Sequence, residues 1–137
     1  MGKKKIVLDT NLYISALGWG GKPKEIINEV IEGKFELILS KNQLKEIKKV
    51  LNYPKFAFTK SQKQIFLKLL NQIATIIETK EKVKIVLDDP DDIIILEPVN
   101  EIDVDYIITG DNHLLKIKEF KGAKIIPASN FLNISNI

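Results

Sequence analysis

Short β-branched apolar runs alternate along the chain with stretches whose apolar residues recur at helical spacing. Lys5-Ile6-Val7-Leu8 is such a run and predicts a buried strand ending at Asp9-Thr10-Asn11. Gly18-Trp19-Gly20-Gly21 reads as a loop, and Pro23 suits the first turn of a helix over 25–32 that Gly33 stops. Residues 35–39 form a second strand. Ser40 then caps a helix through Asn52, which Pro54 ends. Leu44, Ile47 and Leu51 are its inward stripe, with Val50 on the flank and Glu46 at the stripe's edge.

Residues 59–77 carry the spacing of one long amphipathic helix, with Ile65, Phe66, Leu69, Leu70, Ile73, Ile76 and Ile77 inward. Residues 83–87 read as an edge strand. Asp88-Asp89-Pro90-Asp91-Asp92 is a turn whose acids suit a helix N-terminus, and helix follows to about Ile102. Tyr106-Ile107-Ile108 is a third buried strand ending at Thr109-Gly110-Asp111. A short helix over 112–117, a last strand over 123–126 and a closing turn around Phe131 complete the chain. The alternation predicts one α/β domain over residues 1–137, built on a mainly parallel sheet. No repeat, linker or low-complexity tract interrupts it.

Composition sharpens this picture. A chain of 137 residues buries roughly two-thirds of its unfolded surface, enough for one core. The absence of Cys excludes a disulfide scaffold, a thiol nucleophile, and thiolate zinc or iron–sulfur ligation. The net charge of +3 conceals a division. Residues 1–84 hold 17 Lys and 8 acids, whereas residues 85–137 hold 4 Lys and 10 acids. Such asymmetry points to a nucleic-acid partner, a metal site, or both. Every basic residue is Lys, so no guanidinium fork is available to read bases, while diffuse attraction to phosphate remains. The apolar run behind Lys3-Lys4-Lys5 is too short for a signal segment or a membrane span, and the expected location is cytoplasmic with no membrane contact.

The candidate chemistry lies in carboxylates. Asp9 and Asp111 each follow a buried strand, and ligands of open parallel sheets bind outside the carboxyl ends of the strands. If those strands are neighbours, the two acids face each other. Two carboxylates about 5 Å apart repel by about 3 kcal/mol at an effective dielectric near 20. Several gathered together are tolerable only when protonated or neutralised by a cation. Oxygen ligands without His or Cys select hard ions, Mg2+ or Mn2+. Individually the acids have plainer readings: an Asp at a strand–helix junction is an N-cap, 88–92 is a solvated turn, and Glu46 is a surface residue. The joint pattern outweighs them.

That pattern resembles the PIN domain family of metal-dependent nucleases, in particular its stand-alone VapC-like toxins. Ile6-Val7-Leu8-Asp9-Thr10-Asn11 with Ser15 looks like the family's first strand and first acid. Ser40, Leu44-Lys45-Glu46-Ile47, Leu51 and Pro54-Lys55-Phe56 look like its second acidic segment, and Asp89-Pro90-Asp91-Asp92 like its third. Tyr106-Ile107-Ile108-Thr109-Gly110-Asp111-Asn112-His113-Leu114-Leu115 looks like the fourth, and Pro127 with Phe131-Leu132 like the C-terminal signature.

The resemblance implies a three-layer, doubly wound Rossmann-like fold with Asp9, Glu46, Asp92 and Asp111 as metal ligands and catalytic acids. Thr10, Asn11, Ser15 and Thr109 would support them, and Lys45, Lys49 and His113 are candidates for substrate contact. It also implies Mg2+- or Mn2+-dependent hydrolysis of single-stranded RNA to 5′-phosphate and 3′-hydroxyl ends, an antitoxin partner, and a homodimer or higher homo-oligomer. Glu97-Pro98 departs from the small residues the family carries there. Pro98 should bend that helix, which leaves Asp89 and Asp91 as alternative ligands to Asp92.

Other classes fit less well. A haloacid-dehalogenase phosphatase needs Asp where this chain has Asn11 and an acid where it has Leu115, and Pro23 breaks any P-loop at Gly20-Gly21-Lys22. The remaining alternative is a non-catalytic RNA- or partner-binding module that keeps the fold and its acids.

Overall fold

The computed structural model describes residues 2–80 and 91–136, and of Asp91 and Asp92 the backbone alone. Its strands are β1 (Lys4–Leu8), β2 (Phe35–Ser40), β3 (Ala74–Ile77), β4 (Tyr106–Ile108), β5 (Glu119–Phe120) and β6 (Ala123–Ile126). Its helices are α1 (Thr10–Gly18), α2 (Gly21–Ile31), α3 (Lys41–Leu51), α4 (Lys60–Ile73), α5 (Asp91–Glu101), α6 (Asn112–Leu115) and α7 (Ala128–Ser135). A 3-10 turn, Pro54–Phe56, follows α3. The strands form one sheet in the order β3-β2-β1-β4-β6-β5, parallel throughout except for β5 against β6.

Side chains alternate across the pleat, so the continuous apolar runs of the central strands supply two cores at once. Ile6, Leu8, Leu37, Leu39 and Ile108 pack on one face with Tyr13 of α1, Ile26 of α2, Ile47 of α3, Leu70 of α4 and Phe131 of α7. Val7, Ile38, Ile107 and Ile125 pack on the other with Ile95 and Leu96 of α5 and Leu114 of α6. Helices therefore cover both faces, and the architecture is the expected three-layer α/β sandwich. From β1 the chain winds outward through β2 to β3, then returns to lay β4 on the opposite side of β1. The reversal leaves a crevice at the carboxyl ends of β1 and β4, where such sheets bind ligands.

Several local expectations are corrected. Residues 59–77 are not one helix: α4 ends at Ile73, and Ala74–Ile77 runs on as β3, parallel to β2. Thr75-Ile76-Ile77 is β-branched, and β2 offers an open edge whose hydrogen bonds the segment completes. Ile65, expected inward, is 67% exposed, whereas Phe66 and Leu70 on the same helix are buried. Thr10–Gly18 is helical, capped by Asp9, and α2 starts at Gly21, so the glycine loop shrinks to the link between two helices. Gly20 and Gly21 both adopt positive φ there, a geometry that suits residues without Cβ. The closing turn is the helix α7, the short helix after Asp111 stops at Leu115, and β5 adds a two-residue antiparallel edge. The expected strand over 83–87 and the turn over 88–90 lie outside the described residues. No helix among the described residues is long and apolar enough to cross a membrane.

Candidate active site

Asp9 and Asp111 stand where their strands end. Leu8 and Ile108 are paired in the β1–β4 ladder, and the Asp9 amide donates to the Ile108 carbonyl at 2.9 Å. Each carboxylate also caps the helix that follows it. Asp9 Oδ1 accepts from the Asn11 amide at 3.1 Å, and Asp111 Oδ1 accepts from the His113 amide at 2.8 Å. The capping reading and the site reading thus hold together, because each acid caps its helix and lines the cleft as well.

Thr109 ties the two acids into one unit. Its buried hydroxyl donates to Asp9 Oδ2 at 2.7 Å and accepts from the Asp111 amide at 3.0 Å. The short O–H···O bond fixes the rotamer of Asp9. The other Asp111 oxygen accepts no hydrogen bond among the described residues.

Helix α3 supplies the third acid. Ser40 caps it by accepting from the Gln43 amide at 3.0 Å, and Ile47 and Leu51 bury its inner stripe. That packing turns Glu46 toward an open cleft of 630 Å³ which it lines together with Asp9 and Asp111. Asn42, Lys45 and Lys49 of α3 line the same cleft. Tyr53, Lys55 and Phe56 form its outer wall, and Ile94 and Glu97 of α5 lie opposite. Asp92 belongs to the first turn of α5, and its side chain, like those of the alternatives Asp89 and Asp91, lies outside the described residues.

The expected supporting residues divide. Thr10 and Asn11 line the cleft and Thr109 holds Asp9, whereas Ser15 does not line it, and its carbonyl accepts the amides of Trp19 and Gly20. Lys45 and Lys49 border the cleft; His113 is exposed outside its lining, and its backbone amide donates to Asp111.

The structure adds two residues to those the sequence marked as candidates for the site. Gln43 is fully buried beneath the site, and its Nε2 donates to the Leu8 carbonyl at 2.5 Å and toward Thr10 Oγ1 at 3.5 Å, bracing α3 against the end of β1. Glu97 puts a further carboxylate in the cleft, accepting from Asn42 Nδ2 at 3.1 Å and Thr79 Oγ1 at 3.0 Å. Only its coincidence with the break in the family pattern marked it.

The donor set is carboxylate oxygen throughout, the chemistry that suits a hard divalent cation. Among the described residues, no three acids or histidines are gathered tightly enough to cage an ion by themselves. Asp9, Glu46 and Asp111 nevertheless open on one cleft, and the first turn of α5, with its two further acids, belongs to the helix that forms the facing wall.

Comparisons with known proteins bear on the fold and the family. The crystal structure of VapBC2 from Rickettsia felis, bound to a DNA fragment from its promoter, superposes with a TM-score of 0.64 and 15% sequence identity. The match covers 90% of this chain and 98% of that one. At that identity the likeness is one of fold. No curated protein matches in sequence. A family model described as PIN domain matches residues 5–113. The chain belongs to the PIN domain family, whose members are in general nucleases that depend on divalent metal.

Proposed function

We propose that this protein is a divalent-metal-dependent endoribonuclease that hydrolyses single-stranded RNA. The observation that carries the reading is the pairing of Asp9 and Asp111 through Thr109 at the crevice between β1 and β4, facing Glu46 across a lysine-bordered cleft. Asp9, Glu46, Asp92 and Asp111 would hold the cation. When bound there, Mg2+ or Mn2+ supplies Lewis acidity toward phosphate and the means of activating water at neutral pH.

The chain's own groups do the positioning. The Thr109 hydroxyl donates to Asp9 and holds that carboxylate in place at the crevice. Lys45 and Lys49 stand on the same helix as Glu46, border the cleft and would offset the charge of flanking phosphates. The site contains no Ser–His or Cys nucleophile pair among its described lining residues, so attack by water fits the residues present. The products expected are 5′-phosphate and 3′-hydroxyl ends.

The fold shared with VapBC2 supports a toxin held in check by an antitoxin, and the same reading has it act in the cytoplasm as a homodimer or larger assembly. Expression alone should slow growth, and the product of a neighbouring reading frame should relieve it. The chemistry is tested by cleavage of labelled single-stranded RNA in Mg2+ or Mn2+. Wild type should cleave, EDTA should stop it, and Asp9→Asn should lose at least about 100-fold, the scale on which metal-site residues act. Equal cleavage by wild type and Asp9→Asn would falsify the site.

A further inference from the structure

Beside the acids runs a shelf of aromatic rings that hydrolysis itself does not require. Tyr53 and Phe56 are part of the cleft wall. Their rings are nearly parallel, 7° apart with centroids at 6.4 Å, and Phe58 continues the stack at 5.6 Å and 16°. Trp19 meets Phe56 edge-on at 6.0 Å and 75°. Phe58 is partly buried and anchors the row. It packs so closely under Gly18 that a Cβ there would sit 3.2 Å from its ring, so Gly18 lets the Trp19 link lie down on the stack. The outer rings remain open to solvent: Trp19 is 71% exposed and Tyr53 is 39% exposed.

We propose that Trp19, Tyr53 and Phe56 form a stacking platform for unpaired bases of the strand entering the site, with Lys55 and Lys49 taking its phosphates. The inference rests on the nuclease reading and adds to it the means by which the strand is held. Flat rings set in a row, two of them exposed and one beneath an ammonium group, match a polymer that alternates flat bases with phosphates. Lys55 Nζ lies over the Phe56 ring, 5.1 Å from its centroid, which brings a cation onto the shelf. The lack of Arg removes the strongest base-edge reader, whereas stacking tolerates any base. The shelf is continuous with the acidic cleft through Tyr53 and Phe56, so a base stacked there leaves its neighbouring phosphate near Asp9 and Glu46.

Trp19 is the only tryptophan, so its emission reports on the platform directly. The probe is a 2′-O-methyl oligouridylate of about ten nucleotides, within the span of single-strand sites, added in EDTA so that neither metal nor cleavage intervenes. Its partner probe is an abasic strand of the same length and charge. The base-bearing strand should quench Trp19 saturably, and Tyr53→Ala should weaken its binding roughly 5- to 150-fold while barely affecting the abasic strand. Tyr53→Phe keeps the ring face and should bind as wild type.

The platform is overturned if saturating strand leaves Trp19 emission unchanged, or if Tyr53→Ala weakens both strands equally. It is overturned equally if Trp19 emission responds only to the protein's own concentration, as a self-association face would. Asp9→Asn separates the two ideas. Quenching by the strand together with undiminished cleavage by Asp9→Asn would uphold the platform and refute the proposed chemistry. Asp9-dependent cleavage with an unresponsive Trp19 would refute the platform alone.

Discussion

The Thr109 hydroxyl serves two acids, donating to one and accepting from the amide of the other. Thr109→Val keeps the shape and removes both bonds, so RNA cleavage should fall about 10- to 100-fold. Thr109→Ser should restore most of it, which kcat/KM measurements on a labelled RNA will show. A different buried hydroxyl has the opposite character. The Tyr13 hydroxyl has no hydrogen-bond partner among the described residues, and burial pushes its phenol well above the usual tyrosine range. Below about pH 10 the phenol is neutral in both folded and unfolded chains and contributes no pH dependence. Above that, only the unfolded chain ionises, so stability should fall by up to about 1.4 kcal/mol per pH unit. Tyr13→Phe should remove that share of the alkaline loss and add about 1 kcal/mol at neutral pH, read from urea unfolding between neutral and alkaline pH. Asp9, Glu46 and Asp111 were legible as candidates because each acid directly follows or edges an apolar run. Gln43 and Glu97 were not, since a single polar residue on a helix carries no sign that it points inward.

At the scale of elements, the site depends on how α3 is started. Ser40 is buried and accepts from the Gln43 amide, and Gln43 in turn braces β1. Ser40→Ala should therefore cost about 1–2 kcal/mol, at the upper end for an N-cap, and lower the urea midpoint without changing the slope. The central strands were readable because parallel strands covered on both faces must be continuously apolar. The junction at Ile73 was not readable, because Ile, Thr and Leu at this spacing suit a helix until an open sheet edge competes for the backbone. The packing of β3 on β2 decides the outcome, and that is tertiary information. Helix α1 escaped notice because its nine residues are apolar on most sides and end in glycines.

Across the whole molecule, the division of charge in the sequence takes on a spatial meaning. Acids from both halves of the chain meet in one cleft, while Lys45, Lys49 and Lys55, all from the basic half, border it. A polyanion can approach that cleft only if its cost against the acids is offset, by the lysines along the wall and by a cation among the carboxylates. Three lysine–phosphate contacts to a single strand predict a slope of about −2 when log affinity is plotted against log salt, and Lys49→Ala should reduce its size by about 0.7. Titrations over a range of NaCl concentrations, in the absence of divalent metal, will measure it. The sheet order follows from the same winding that creates the crevice, and the alternation of elements foretold the layers though not the strand order itself.

The central claim is that Asp9, Glu46 and Asp111, with an acid from the first turn of α5, jointly bind a divalent cation at the carboxyl ends of β1 and β4. Anomalous scattering from crystals soaked in Mn2+ tests it most directly. The account predicts a peak between the carboxylates of Asp9 and Asp111, with oxygens at about 2–2.6 Å, that disappears in Asp9→Asn. Mn2+ bound only outside this cleft, or bound there unchanged in Asp9→Asn, would contradict it.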